Sequence, residues 1–340
     1  MSIAGDFEFF LQWHLTERCN LQCSHCYQSG SSGPELSLEE IRSVATEAAA
    51  MLQDWERLYG VRIGRSCNLT GGEPLLRRDL LTVLEELGAA GFALYLLTNG
   101  TLIDGRQAQD WAARGVKGVQ VSIEGPEEVH DGIRGAGSYR AALKGTKHLL
   151  DAGLPVTFNL TLSRLNAPHL EGLLATAADL GVPRVGFSRL VPAGTGTALR
   201  EEMLDPHEVE ELYRRLFSLK PAGVKLVSGD PIAWQMGAET GGGSGCTPLG
   251  GCAAGVSGLT LLPDGTILPC RRLEIPLGNV RQDALREVWA TSPVLQRLRQ
   301  RDLYGGKCGK CQRWSGCRGC RAIAFACGDY LGEDPQCFID

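Results

Sequence analysis

Cysteine divides this chain more sharply than any other residue. Of thirteen, Cys19, Cys23, Cys26 and Cys67 lie early, nine fall between Cys246 and Cys337, and the long stretch between the groups has none. A chain of 340 residues can bury a core without covalent staples. Asp6 and Glu8 stand where a signal peptide would carry basic charge before an apolar run, so a cytoplasmic protein is expected. Clustered thiols in that reducing setting point to metal binding or catalysis rather than disulfides. The cysteines thus mark two chemical zones on a cysteine-free scaffold. A net charge of −5 offers no basic excess for nucleic acid or an anionic membrane. No apolar stretch approaches the roughly 18 residues of a membrane span.

The scaffold reads as strands alternating with helices. Residues 7–15 form an apolar run of strand length. Residues 38–59 then place Ile41, Val44, Ala45, Ala48, Leu52 and Trp55 at helical spacing behind a Ser37 N-cap. Strands near 62–69, 93–97, 118–123, 156–162 and 184–188 precede helices near 77–90, 104–113, 139–152, 167–180 and 206–219. Six such units predict a parallel sheet with right-handed crossovers. Glu17, Glu73, Asn99, Glu124, Asn166 and Arg189 all fall just past the C-terminal end of a strand. In a barrel that end carries the active site, whereas a doubly wound sheet would gather such residues at one crevice. The expected fold is therefore α/β: a partial (β/α)6 TIM-like barrel, followed by a small cysteine-rich domain.

The pattern breaks after Leu219. The expected organisation is a barrel over 1–225, a Gly-rich linker over 226–245 containing Gly241 to Gly245, and a cysteine-rich domain over 246–340. Pro263-Asp264-Gly265 between apolar runs predicts a hairpin, and 284–290 and 294–301 predict short helices. The remainder is cysteine, glycine and charge, which ligated metal would have to organise.

Cys19, Cys23 and Cys26 are spaced C-x3-C-x2-C on the loop leaving the first strand. Three thiolates can hold three corners of a cubane cluster and leave the fourth iron open, the mark of a catalytic metal site. A zinc site completed by His25 or Cys67 is the plainer alternative. Tyr27 follows the triplet, and Asn68-Leu69-Thr70-Gly71-Gly72-Glu73-Pro74 follows the second strand. Leu97-Thr98-Asn99-Gly100, Val121-Ser122-Ile123-Glu124-Gly125, His130-Asp131-Gly132-Ile133-Arg134 and Gly137-Ser138-Tyr139 come later. Together these motifs resemble the radical S-adenosylmethionine (SAM) enzymes over essentially the whole chain. The resemblance implies a [4Fe–4S] cluster on Cys19, Cys23 and Cys26, with SAM chelating its open iron. Gly71, Gly72, Glu73 and Pro74 would hold the methionyl end, its amino group accepted by Glu73. Tyr27, Asn99, Ser122 and Arg134 would line the rest of the SAM site. Reductive cleavage would give a 5′-deoxyadenosyl radical that abstracts hydrogen from substrate.

Cys246, Cys252 and Cys270 precede Cys308, Cys311, Cys317 and Cys320, and Cys337 closes the array. A pair of zinc ribbons is the plain alternative. The stretch resembles the SPASM domain, the auxiliary-cluster extension of many radical SAM enzymes. Only Arg318 and Gly319 separate Cys317 from Cys320, where that family has three residues. The shorter spacing is similar to members acting in alternative heme biosynthesis. The resemblance implies Cys246, Cys252, Cys270 and Cys320 on one auxiliary cluster, and Cys308, Cys311, Cys317 and Cys337 on a second, giving three [4Fe–4S] clusters. Cys67 and Cys327 are left over: Cys67 reads as a small buried hydrophobe, and Cys327 as core or a substitute for Cys320.

His14 and His25 read as residues packed beside the cluster, and Ser188 and Arg189 as residues able to face SAM or substrate, with a satisfied barrel arginine as the alternative for Arg189. The expected function is a radical SAM/SPASM maturase acting on a peptide or protein. A porphyrin or heme precursor is the alternative substrate, and a non-enzymatic iron–sulfur electron carrier the third reading. A ferredoxin or flavodoxin would supply electrons. With a first strand so close to Met1, a separate peptide-recognition protein or direct binding in the barrel is expected.

Overall fold

The computed structural model describes residues 7–30, 33–219, 221, 223–236 and 251–339. Seven parallel strands run in chain order across one sheet: β1 (Phe7–His14), β2 (Ile63–Thr70), β3 (Ala93–Thr98), β4 (Gly118–Ser122), β5 (Val156–Leu162), β6 (Arg184–Arg189) and β7 (Lys225–Ser228). That order winds in one direction, as in a barrel, without the reversal of a doubly wound sheet. The sheet does not close on itself. Instead β8 (Gly258–Leu261) adds parallel to β1, with Leu11 opposite Leu259, and β9 (Thr266–Leu268) and β10 (Gly278–Asn279) follow antiparallel.

The helices form where apolar spacing and caps agree. Helix α1 (Leu38–Tyr59) starts at a capping box, with Ser37 accepting from Glu40 N and the Glu40 side chain returning to Ser37 N. Its buried stripe of Ile41, Val44, Ala45, Ala48, Met51 and Leu52 faces the sheet core. Helices α2 (Leu80–Ala89), α3 (Gly105–Ala113), α4 (Glu127–Arg134), α5 (Ser138–Asp151), α6 (Leu170–Leu180) and α7 (Pro206–Ser218) follow the successive strands. Helix α4 forms between β4 and α5, where the apolar spacing predicts no helix.

Two expectations change. The linker expected from residue 226 begins as ordered structure: β7 pairs with β6, and α8 (Pro231–Gln235) is capped by Asp230. Residues 241–245 and Cys246 lie outside the described residues. The C-terminal region is also not held by cysteine chemistry alone. Leu285, Leu295, Leu298, Ile323 and Leu331 are buried in the same core as the barrel strands. Trp289, on α9 (Leu285–Thr291), meets Phe9 of β1 edge-on at 5.0 Å.

Candidate functional site

Strand β1 carries the chain to residues 16–27 at the sheet's C-terminal end, and the exit of β2 runs beside it. Gly72 N donates to the Thr16 carbonyl and Glu73 N to the Arg18 carbonyl, both at 2.8 Å. A Cβ on Gly71 would lie 2.3 Å from Thr16 O, and one on Gly72 2.3 Å from Arg18 O. The Cβ positions of these glycines are therefore taken up by the chain itself, which packs the turn against the triplet loop. Glu73 follows, fully buried, accepting from Thr98 Oγ1 (2.8 Å), Asn99 N (2.9 Å) and Leu75 N (3.2 Å). Burial nonetheless pushes its carboxyl up to about 7. Pro74 is buried at the start of a 3-10 turn.

The triplet loop is tied down on both sides. Ser24 N donates to Ile133 O (2.9 Å), Gly196 N to Cys26 O (3.1 Å), and Thr195 Oγ1 reaches the carbonyls of Cys23 and Cys26. The three thiols stand close enough that charge on Cys26 raises the pKa of Cys19 and of Cys23, behind the larger effect of burial. Donors face the sulfurs: Leu21 N (3.5 Å) and Asn99 Nδ2 (3.9 Å) at Cys19, and Arg134 Nη1 (3.6 Å) at Cys23. Arg134 is aimed by Glu124, whose Oε1 accepts from Arg134 Nε (2.9 Å) and Nη2 (2.5 Å) and lies 3.0 Å from His25 Nε2. Burial alone would raise the Glu124 carboxyl, but Arg134 and His25 hold it well below the usual range. Ser122 ends β4 opposite Asn159 of β5.

Tyr27 turns back toward β1, its hydroxyl 3.5 Å from His14 Nε2, with the Arg271 guanidinium 5.8 Å from its ring centroid. Burial and then Arg271 push the His14 imidazole down to about 3, so it is neutral. Cys67 points into the core of β2 with no exposed surface, and burial raises its thiol far above the usual range. It is no partner for the triplet.

The C-terminal cysteines form two neighbourhoods. Charge on Cys270 raises the Cys252 thiol, and charge on Cys252 raises that of Cys320, in both cases after burial. Charge on Cys337 and Cys308 likewise raises the Cys317 thiol, and charge on Cys308 that of Cys337, again after burial. The Cys311 sulfur accepts from Arg313 N at 3.4 Å. Between Cys317 and Cys320 the chain turns through two left-handed residues, Arg318 (φ 64°) and Gly319 (φ 60°). Arg318 pins the turn by donating from Nε to the Cys252 carbonyl (3.0 Å). Cys327 is exposed, 3.6 Å from Arg200 Nη1.

Arg189 is not free to face SAM or substrate. Its Nε pairs with Asp230 (2.8 Å) and its Nη2 with Asp334 (2.7 Å), all three buried. Asp334 also accepts from Cys320 N at 2.8 Å. This link from strand β6 to the cysteine array was invisible in the sequence, because Asp230 and Asp334 lie 41 and 145 residues away. Ser188 does line a cavity of about 450 Å³ inside the sheet's curve. Gln12, Asn68, Asn159 and Trp234 line it too, and it extends to Cys252, Cys270 and Cys320.

Residues 13–177 match the radical SAM superfamily, and residues 252–321 match SPASM, an iron-sulfur cluster-binding domain. The AdoMet-dependent heme synthase of Oleidesulfovibrio alaskensis is 30% identical, over 96% of this chain and 86% of its own length. The chain belongs to the radical SAM superfamily. As a radical SAM enzyme with a SPASM domain, it uses SAM and [4Fe–4S] clusters. Mycofactocin maturase MftC of Mycolicibacterium smegmatis is another relative, 30% identical over 98% of this chain and 83% of that protein. Streptococcus suis SuiB, bound to its precursor peptide SuiA, shares the radical SAM fold at a TM-score of 0.73. The match covers 98% of this chain and 76% of that one at 16% identity. The triplet supplies the donor set the family's cluster needs, three thiols on one loop with N–H groups aimed at the sulfurs of Cys19 and Cys23. Among the described residues no helix is long and apolar enough to cross a membrane.

Proposed function

We propose that this chain cleaves SAM reductively at a cluster held by Cys19, Cys23 and Cys26 and abstracts hydrogen from a peptide side chain seated in the lumen. The observation that carries this reading is the lumen itself. It is lined by Cys252, Cys270 and Cys320 and by Arg271, whose guanidinium lies over the ring of Tyr27, the residue after Cys26. A substrate inside it therefore touches the second cysteine group and is one side chain away from the loop of the first. Three thiolates leave one iron for SAM. Bound there, the reduced cluster supplies the electron that splits SAM into methionine and a 5′-deoxyadenosyl radical.

The chain's own residues fix the geometry. Gly71, Gly72, Glu73 and Pro74 hold the methionyl end, on a turn locked to the triplet loop by the two backbone bonds at Thr16 and Arg18. Asn99, Ser122 and Arg134 take the carboxylate and ribose side, with Glu124 fixing the guanidinium. Tyr27 packs the loop against His14. Cys246, Cys252, Cys270 and Cys320 hold one auxiliary cluster, and Cys308, Cys311, Cys317 and Cys337 the other. A peptide substrate is supported by the maturase relative, and a ferredoxin or flavodoxin would deliver the electron. A separate recognition protein would present the peptide.

A second reading, a heme precursor as substrate, is favoured by the heme synthases at 30% and 31% identity over 96% of this chain. Anaerobic reconstitution tests the shared chemistry. About 12 iron and 12 sulfide per chain are expected on a cubane count, with deoxyadenosine formed under dithionite. About four iron with stoichiometric zinc would overturn the auxiliary assignment. Alanine at Cys19, Cys23 and Cys26 should abolish deoxyadenosine yet retain the C-terminal iron. A mass change on a short peptide encoded beside this chain supports the first substrate, and one on a porphyrin the second.

A further inference from the structure

The lumen carries more cation than its walls neutralise. Arg184, Arg271, Arg272 and Arg321 line it, Arg321 being spent on the Tyr330 and Gly332 carbonyls (3.0 and 2.6 Å). The one carboxylate in the lining, Glu8, already accepts from Ser66 Oγ (2.6 Å). Arg272 donates to uncharged oxygens, Ser188 Oγ at 3.4 Å and the Arg189 carbonyl at 3.2 Å, and its buried Nε has no partner. It stands beside Cys270 and Cys320, whose charge acts on it, so a bound auxiliary cluster would offset it. Arg271 differs. It lies over the Tyr27 ring and next to His14, and among the described residues it forms no ion pair with a carboxylate. A half-buried cation that lines a cavity and has no carboxylate partner favours an anion beside it.

A second observation points to the same wall. Gln12 is two residues before His14 on β1, hence on the same face of the strand. It is 5% exposed, lines the cavity, and its Nε2 has no hydrogen-bond partner. Leaving a buried amide donor unpaired is costly unless a ligand supplies the acceptor. The surrounding wall of Asn68, Gln120, Asn159 and Thr157 is polar and uncharged. It can hydrogen-bond a ligand without competing for its charge.

We propose that the lumen seats its substrate through a carboxylate that pairs with Arg271 and accepts from Gln12 Nε2. This rests on the reading of the lumen as the substrate site. It places the anchored end beside the triplet loop, because Arg271 stacks on the residue that follows Cys26. The carboxylate could come from the C-terminus of a peptide or from the propionate of a porphyrin, and one experiment separates them.

The reconstituted full chain is titrated with two matched pairs of probes: a porphyrin tetracarboxylate and its methyl ester, and a pool of short peptides with free C-termini and the same pool amidated. Binding is read from tryptophan fluorescence, since Trp234 lines the cavity. In one pair the free acid should bind roughly tenfold more tightly, the scale of one charge-assisted hydrogen bond, and the responding pair names the source. Arg271→Gln should erase that preference and Arg271→Lys should keep part of it. Gln12→Met should weaken the acid several-fold while raising the melting temperature, because it deletes an unpaired buried donor. A merely structural glutamine would not do both. Equal binding within both pairs, no binding of any probe, or a preference that survives Arg271→Gln overturns the proposal. Deoxyadenosine formation by the unaltered protein is measured in the same samples, so failure of the radical chemistry is seen separately from failure of the anchor.

Discussion

The two cysteine zones are built in opposite ways. At the triplet, Cys19 is exposed, Cys23 and Cys26 are half-buried, and position is set by polar ties to Ile133, Thr195, Gly196 and Arg134. In the C-terminal array Cys308, Cys317 and Cys320 are each 7% exposed, Cys308 and Cys320 within the core that holds Leu298, Ile323 and Leu331. Cys252, Cys270, Cys311 and Cys337 are half-buried, and none of the seven described is exposed. A site that must admit a ligand cannot be held by apolar packing over its face, so its precision comes from buried polar braces behind it. A site whose cysteines close every corner can be sealed in the core. The difference teaches that thiol count alone does not separate reactive from closed centres, whereas what surrounds the thiols does.

Breaking the link between the barrel and the C-terminal array should have the largest effect. Arg189→Ala leaves Asp230 and Asp334 buried without their cation, and about 3–5 kcal/mol of stability should be lost. Urea denaturation measures it. A loss near zero would mean strand β6 and the array are not joined through this ion triad.

The polar brace of the first zone should leave a pH signature. Burial raises the Glu73 carboxyl from 4.5 to about 7. A group whose folded pKa lies above its unfolded one binds its proton more tightly in the fold. Stability should therefore fall as pH climbs from about 4.5 to about 7 and level off above that, by about 3 kcal/mol in all. Glu73→Gln should flatten that slope. An unchanged profile would show that Glu73 does not titrate in this window.

Iron removal sharpens the contrast further. Chelation should speed amide exchange across residues 306–337, where ligation and packing act together. The triplet loop, tied by backbone bonds, should change less than about tenfold. Equal loosening of both zones would contradict the comparison. The smallest effect is expected at the turn between Cys317 and Cys320. Arg318→Gly relieves a left-handed residue but gives up the bonds to the Cys252 and Ser315 carbonyls, so the net change should stay within about 2 kcal/mol.

What was legible in the sequence was local. Helix α1 was readable because its apolar stripe and its Ser37 cap lie within one short window, and the triplet because its spacing is eight residues long. Strand β7 was missed because it has four residues and opens on exposed Lys225, too little for a period to show. Helix α4 was missed because its eight residues include Gly132 and bury just His130 and Ile133. The braces of the site were beyond reach for a different reason. Glu124 meets His25 across 99 residues, and Arg189 meets Asp334 across 145, so only the folded sheet brings them together. The glycine pair was recognised while its local reason was not, because the chain that fills the space beside it comes from the end of β1.

The pairing of β1 with β8 also sets a timetable. Strand β1 keeps one edge bare until residues 258–261, far later in the sequence, have been made. An uncovered strand edge is a place where chains stick to one another, and contacts this distant in sequence form slowly. Until then the wall that carries Cys270 and Arg271 does not exist, and the loop with Cys19, Cys23 and Cys26 faces an unfinished chamber. The protein would spend its early life needing a chaperone for that edge, and iron delivered before the chain's end would meet a half-built room.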